Sequence, residues 1–448
     1  MFHVYTNLGE YLSFSQSSIA SLLLYKSCNE KRKIDKQTVD GFWHEVPRDI
    51  MDLIKRRLNL TDCIRSSIVC KSWRSLLMQK DVRPAPQLPW LLLPHGPQCK
   101  HLSFYSLTDG KPRNLKLPKS AQGGRYCGSA KGWLIISEET RLDPKIFLFN
   151  PISGAKLQLP SLTTIPSFGE FLDSLPDEYT GSAFMNRVEL SSPDTSDCTI
   201  AAIFDTWRIL AFCKPEDKSW IIFQGRVDDA AENSSFYRDI LFSGGTLYAL
   251  PWSTTSGGVG AAYTVGLENR EVTLKVLPAL GINDPEFFEV NEDHTDNRIF
   301  VEIFISFSLV ESTNGELLII RKFRDPFPSM DANQNQRPDP YRISTFQVYK
   351  LDPNNGCMTR LRSLGGQVIF LTDNGSSVLQ ATDFNGFQGN CIYFAADQPH
   401  FCFVADHPPL VCRESGVFYL DDGKFEQSFP SVNLPTHSQM TWFTPNPW

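Results

Sequence analysis

The sequence contains no Cys-x-x-Cys pair anywhere in its 448 residues. Its eleven cysteines, at positions 28, 63, 70, 99, 127, 198, 213, 357, 391, 402 and 412, show no spacing suited to a structural zinc. They read as scattered, mostly buried thiols of a reducing compartment, cytoplasm or nucleus. Asn59, Asn233 and Asn374 head Asn-x-Ser/Thr triplets, which matter only in a secreted chain. No apolar run approaches the ~18 residues that cross a bilayer. The short patch Ile19 to Tyr25 follows no Lys or Arg, unlike a secretory leader, and Glu10 argues against a transit peptide.

An excess of positive charge is missing too. The formal net charge is -7, and the stretch from Pro84 onward alone carries -12. A large acidic region repels nucleic-acid backbones and anionic membranes, so neither is an expected partner. Catalytic signatures are also lacking. "GSAKG" at 128 to 132 has its Ser in the wrong place for G-x-S-x-G, no phosphate-binding loop occurs, and "GGVGAA" at 257 to 262 reads as turn glycines. His400 and His407, with Asp406 between them, sit in a Pro-rich loop without recurring ligands. No catalytic residue, metal or cofactor is therefore expected. What is abundant is aromatic: 32 Phe, with Pro (30) slightly outnumbering Gly (28), a balance that favours short strands joined by turns.

The one helical pattern lies near the N terminus. Residues 1 to 42 read as a flexible extension, within which the charged run "NEKRKIDK" (29 to 36) reads as a solvated linker. From 43 to 83 the pattern changes, with nine Lys and Arg against five Asp and Glu. Pro47 suits a first helical turn, Asp49 suits the positive helix end, and Ile50, Leu53, Ile54 and Leu58 repeat at helical spacing, with Lys55, Arg56 and Arg57 largely off the stripe. Thr61 or Asp62 can cap a second helix carrying Ile64, Ile68 and Val69, and a third carries Trp73, Leu76 and Leu77. Forty residues in three short helices cannot bury all this surface internally, so part of the stripe needs a partner, either the rest of this chain or another protein.

Val46-Pro47, Ile50, Ile54, Leu58, Asp62, Arg65 and the string "VCKSWR" (Val69 to Arg74) together resemble an F-box, the helical module that binds the Skp-type adaptor of SCF ubiquitin ligases. The resemblance implies that Val46, Pro47, Ile50, Ile54, Leu58, Val69, Cys70 and Trp73 lie at the adaptor interface or directly support it. One departure is Val46, where that family usually has Leu. By area alone, Trp73 is more readily a core residue than a contact.

A Pro-rich junction at 84 to 89 leads into a long β region, 90 to 448. "KGWLIISEE", "KIFLFNPISGAKLQLPSL", "WRILAFCKPEDKSWIIFQGR" and "RDILFSGGTLYALP" are short apolar or alternating runs separated by turn residues, and Asn314-Gly315 suits a type I′ hairpin turn. No segment here has helical length and period. Loosely similar units over ~360 residues fit six to eight propeller blades of ~40 to 50 residues, or else a double sandwich. Aromatic residues dominate binding hot spots, so Trp207, Trp220 and Trp252 are candidate target contacts if exposed, while the acidic stretch Glu286 to Asp296 reads as a solvated loop.

"WLLLP" (90 to 94), "GSAKGWLIIS", "IFLFNPISGAKLQLPSL", "GNCIYFAAD" and the terminal "WFTPNPW" are similar, in order as well as content, to the β-propeller-like domain that follows the F-box in KIB-type and SKIP-like plant F-box proteins. That resemblance implies a mainly β chain with a small all-α N-terminal module, acting as the non-catalytic substrate-recognition subunit of an SCF-type ubiquitin ligase. The F-box would hold the Skp-type adaptor, and through it cullin and RING subunits, while the β domain would hold a target protein for ubiquitination. Its substrate-binding residues are not named by the resemblance. The rival readings are a metabolite- or sugar-binding or hydrolytic propeller whose helices only pack on the sheet, and an F-box protein that has lost its target.

Overall fold

The computed structural model describes residues 46–448 except 59, 68, 78, 80–86, 94–99, 109, 139, 141, 175–183, 205–208, 224–235, 253–262, 269–270, 277–304, 325–342, 373, 385, 396–414, 427–428, 430–439 and 447–448. The N-terminal extension, the His400–His407 loop, the Glu286–Asp296 stretch, Trp207, Asn59 and Asn233 lie outside the described residues, as does the side chain of Trp252.

Three short helices come first. In α1 (Arg48–Arg57), Asp49 in the first turn and Lys55, Arg56 and Arg57 in the last complement the helix dipole. Helix α2 (Leu60–Ser67) starts at Leu60, so Asp62 sits inside its first turn instead of preceding it. Helix α3 (Lys71–Leu77) follows.

The rest is mainly β. The first sheet holds β1 (Trp90–Leu92), β2 (His101–Ser106) and β3 (Lys111–Lys116). The second holds β4 (Gly124–Ala130), β5 (Trp133–Glu138), β6 (Ile146–Phe149) and β7 (Lys156–Gln158). Helix α4 (Phe168–Ser174) interrupts the β region where no helix was expected; its Phe168, Phe171 and Leu172 plug the apolar space between the second and third sheets, and seven residues are too few to show a period. The third sheet is β8 (Met185–Leu190), β9 (Ile200–Phe204), β10 (Ile209–Cys213) and β11 (Ile221–Ile222), and the fourth is β12 (Phe236–Ser243), β13 (Thr246–Trp252), β14 (Tyr263–Glu268) and β15 (Glu271–Val276). The fifth is β16 (Ile305–Glu311), β17 (Leu317–Arg324), β18 (Ile343–Leu351) and β19 (Met358–Leu361). The sixth contains β20 (Gln367–Thr372), β21 (Gly375–Gln380), β22 (Cys391–Ala395), β23 (Ser415–Tyr419) and β24 (Phe425–Glu426), in the order β21-β20-β22-β23-β24 with β20 and β22 parallel.

The last strand, β25 (Thr441–Phe443), returns to the first sheet and pairs antiparallel with β1, Leu91 opposite Trp442. Innermost strands then touch in the cyclic order β25, β4, β8, β12, β16, β21 and back to β25. Among the described residues, six sheets stand around a closed ring, which makes a propeller and excludes the sandwich. Closure removes the open inner edges that a row of sheets would otherwise present.

The ring also explains the texture of the sequence. A strand between two neighbouring sheets is buried on both faces, so it reads as a continuous apolar run instead of alternating. In "WLIIS", Leu134 and Ile136 join the core shared with the first sheet, whereas Ile135 joins the core shared with the third.

Turns follow the same economy. Lys131-Gly132 (φ 46° and 88°) and Gly244-Gly245 (φ 55° and 81°) have the two successive positive φ values of a type I′ turn. The expected turn of that type at Asn314-Gly315 is instead a five-residue connection, in which only Gly315 has positive φ and the Ser312 hydroxyl accepts from Glu316 N at 2.9 Å. Glu311 and Leu317 form the last strand pair, which leaves five residues to close the hairpin and not two.

In the first two sheets the connections separate cleanly. The β4–β5 and β6–β7 turns lie beside the chain end, since a Cβ on Gly132 would approach Asn446 and Asn150 bonds Asn446. We term this the turn face. The β1–β2, β3–β4 and β5–β6 connections lie at the opposite ends of those strands, on the connection face.

Candidate functional site

The three helices share one small core. Met51, Leu58, Cys63, Trp73 and Leu77 are buried together, with Val46, Ile54, Cys70 and Leu76 packed half-buried against them. Burial pushes the Cys63 thiol up to about 11, so it stays neutral inside this cluster. Cys70 sits where an N-cap belongs, and its Sγ accepts from Trp73 N at 3.4 Å. Lys55, expected on the solvent side, is instead buried, its stem packed inside and its Nζ donating to the Gln79 carbonyl oxygen.

The eight residues that the F-box resemblance brings forward therefore separate into two sets. Leu58 and Trp73 are interior; Val46, Ile54 and Cys70 border the core; Pro47, Ile50 and Val69 are exposed. Leu53, on the sequence stripe but outside that set of eight, is the most exposed apolar residue of α1 at 57%, beside Ile50 at 44%, with Val69 at 52% just before α3. Among the described residues only five large hydrophobic side chains are exposed, and these three belong to the helical unit. The sequence missed Met51 as a core residue because a stripe seen in one helix does not say which of two flanks meets its neighbours.

The helical unit also touches the ring. Leu60, at the start of α2, is buried against Ile152 of the β6–β7 turn and the half-buried ring of Trp90. The helices thus sit on the turn face. Beyond the junction, Leu88 packs with Met440 and Trp442, and Pro89 is buried, so the chain is already part of the ring by residue 88.

Beside the apolar cores shared by neighbouring sheets, one inter-blade contact is polar and buried. Arg187 on β8 is buried, its Nη2 2.8 Å from Glu189 Oε1 and its Nε 2.9 Å from Asp239 Oδ1 on β12. The other Asp239 oxygen accepts from Leu309 N on β16 at 2.7 Å. Burial raises the Glu189 carboxyl above the usual range, with Arg187 pulling the other way. This group fastens three adjacent sheets to one another. Trp220 is buried, its Nε1 donating to Pro160 O at 3.0 Å, so it is core and not a target contact. Asn374 is buried near the ring axis beside Gly128, which is unsuited to glycosylation. Among the described residues, no three His, Cys, Asp or Glu stand together as a metal would require, and no helix is long and apolar enough to cross a membrane.

Residues 104–419 match the family described as KIB1-4 beta-propeller. The chain belongs to that family. The match begins within β2 and ends with β23, so the closing strand and the three N-terminal helices of this KIB1-4 propeller lie outside it. Over longer stretches it is similar to Arabidopsis thaliana F-box proteins. F-box/kelch-repeat protein At1g57790 is 23% identical over 86% of this chain and 89% of its own length. F-box protein SKIP23 is 21% identical over 91% and 95%. F-box protein At1g49360 is 31% identical over a shorter 26% of this chain and 24% of its own.

Proposed function

We propose that this KIB1-4 propeller is the substrate-recognition subunit of an SCF-type ubiquitin ligase, with residues 43–83 acting as the F-box and 90–448 as the target-binding domain. The observation that carries the reading is the exposed apolar set Pro47, Ile50, Leu53 and Val69 on a helical unit whose own core is already filled. Neither that core nor the ring covers these side chains, so the reading in which the helices only pack on the sheet leaves them unexplained. A Skp-type adaptor is the partner assigned to them, with cullin and RING subunits recruited through it.

The chain's part is then non-catalytic. It holds a target near the transferring enzyme, and the bimolecular encounter becomes nearly intramolecular. The test is adaptor capture by the full chain, comparing wild type with Ile50→Asp, Leu53→Asp and the pair. An unpaired carboxylate in a desolvated contact costs several kcal/mol, so the pair should lose capture while melting as wild type does. Capture by the double variant at wild-type level would remove this surface from the interface. Leu58→Asp is a poorer test, because Leu58 is interior and its loss would unfold the unit whether or not an adaptor binds.

A further inference from the structure

The acidic β domain carries a basic sector in its first two sheets. Residues 100–158 hold ten Lys and Arg against four Asp and Glu, whereas the stretch from Pro84 onward carries -12 overall. The register gathers these charges at one place. His101 pairs with Lys116, and Leu117 N bonds the carbonyl oxygen of Lys100, so Lys100 and Lys116 stand at the same end of β2 and β3, one position apart in register, on the connection face. Lys119 follows in a short 3-10 turn, and Lys156 reaches over from the second sheet to donate to Ser120 O at 2.8 Å. Lys145 lies beside Glu138, whose N bonds its carbonyl oxygen; burial depresses the Lys156 amine, the Glu138 carboxylate opposes that shift, and Lys145 adds a smaller push in the same direction as burial. Lys100, Lys116, Lys119, Lys145 and Lys156 are all exposed. In the same β5–β6 connection as Lys145 stands Leu142, 75% exposed and the most exposed large hydrophobic among the described residues.

Lysines on outer strands commonly guard a sheet edge against pairing with other chains. That accounts for Lys116 on β3 and Lys156 on β7. It does not account for Lys100, Lys119 and Lys145, which lie in connections where no strand edge is open, nor for an exposed leucine among them. The sector is on the connection face, whereas Leu60 seats the helices on the turn face. A ligand bound there would not compete with an adaptor.

We infer that this sector of the connection face, centred on Lys116, Lys119, Lys145 and Leu142, docks an acidic segment of a protein target that carries an apolar residue. The assignment rests on the proposed ligase role for its biological meaning, but not for its chemistry. Charge complementarity selects the acidic segment, and Leu142 supplies an apolar anchor. A nucleic acid is the poorer occupant, because a long polyanion leaving the sector would run against the surrounding negative field, whereas a short peptide would not.

The test uses the full chain and a fluorescent twelve-residue peptide rich in Asp and Glu with one central Leu, followed by anisotropy at low and moderate salt. Wild type should bind, and Lys116→Glu/Lys119→Glu/Lys145→Glu should weaken binding at least tenfold. Leu142→Ser, or Ser for Leu in the peptide, should weaken it several-fold. Lys218→Glu, a charge reversal at an exposed position on the third sheet, is the control and should change affinity less than twofold. Equal loss with Lys218→Glu, indifference to both leucine changes, or equally tight binding of a single-stranded oligonucleotide of the same charge would each overturn the assignment. Adaptor capture by the same triple variant keeps the two readings apart. Capture with no peptide discrimination overturns the sector alone, and peptide discrimination without capture upholds the sector while removing the ligase role.

Discussion

The side chain of Asn150 donates from Nδ2 to the carbonyl oxygen of Asn446 at 2.9 Å, across 296 residues of sequence. Its Oδ1 meanwhile accepts from Ile152 N at 2.9 Å and Ser153 N at 3.0 Å, shaping the β6–β7 turn. One buried amide thus holds both the chain end and the turn on which Leu60 rests. Asn150→Ala leaves these groups without that partner, at about 1–3 kcal/mol for each one that stays dry. Asn150→Asp keeps the acceptor and should cost less. Urea unfolding of both variants checks the order, and equal midpoints for Ala and wild type would contradict it. Gly132→Ala should destabilise as well, since its φ of 88° is strained for Ala and the new Cβ would meet Asn446.

Arg187 gives a larger effect of opposite logic. Replacing it with Met takes from the buried Glu189 and Asp239 the guanidinium they share, and breaking such a group typically costs about 3–5 kcal/mol. The triple change Arg187→Met/Glu189→Leu/Asp239→Leu removes that charge imbalance, yet it also orphans Leu309 N. Its stability should therefore fall between the single variant and wild type. Calorimetry of the two proteins decides this, and a triple variant no better than Arg187→Met would show that the ion pairs are not the cause.

How much of this could be read from the sequence depends on what each residue had to report. The Pro47-led helix and the "VCKSWR" string were legible because they are local, as were the strands whose two-sided burial makes them continuous apolar runs. The sheet count was not, because blades match one another loosely and ring closure rests on pairing Leu91 with Trp442, a relation between the two ends of the β domain. Lys55 was misplaced for a related reason: its partner is Gln79, 24 residues on and past the end of α3. The basic sector is hidden when charge is summed over the whole β domain, and only the pairing of β2 with β3 places Lys100 and Lys116 at the same end of their strands.

The cysteines make a pH prediction. Burial raises the Cys63 thiol to about 11 and Cys391 to about 12, while an unfolded thiol titrates near ~8.5. A folded pKa above the unfolded one means that the unfolded chain releases its protons first as pH rises. The contribution from these thiols is complete below about pH 8.5. It is lost progressively as pH rises toward the folded values. Cys63→Ser and Cys391→Ser should flatten the loss of stability between neutral pH and pH 10. In native protein, Cys357, which is exposed, should react with an alkylating agent well before either. Mass spectrometry after a timed exposure reads the order, and early labelling of Cys63 would show that its cluster opens readily.

Leu60 and Ile152 make the last prediction, because their contact decides whether helices and ring move as one. A fully buried Leu contributes roughly 1.5–3 kcal/mol relative to an exposed one, so Leu60→Ser should raise the undocked population roughly ten- to a hundredfold. Lys80 lies in the sequence between the two units and is a site for trypsin, whereas Arg83 precedes Pro84 and resists cleavage. When docking and undocking are fast relative to cleavage, the rate of cutting follows the undocked population, so it should rise by a similar factor in Leu60→Ser. Ile152→Ser removes the other half of the same contact and should do likewise. The double variant should then cut little faster than either single one, since residues sharing one contact are not additive. A double variant whose acceleration is the product of the two singles would mean that Leu60 and Ile152 act on separate equilibria, and that the helices are held to the turn face by something other than their meeting.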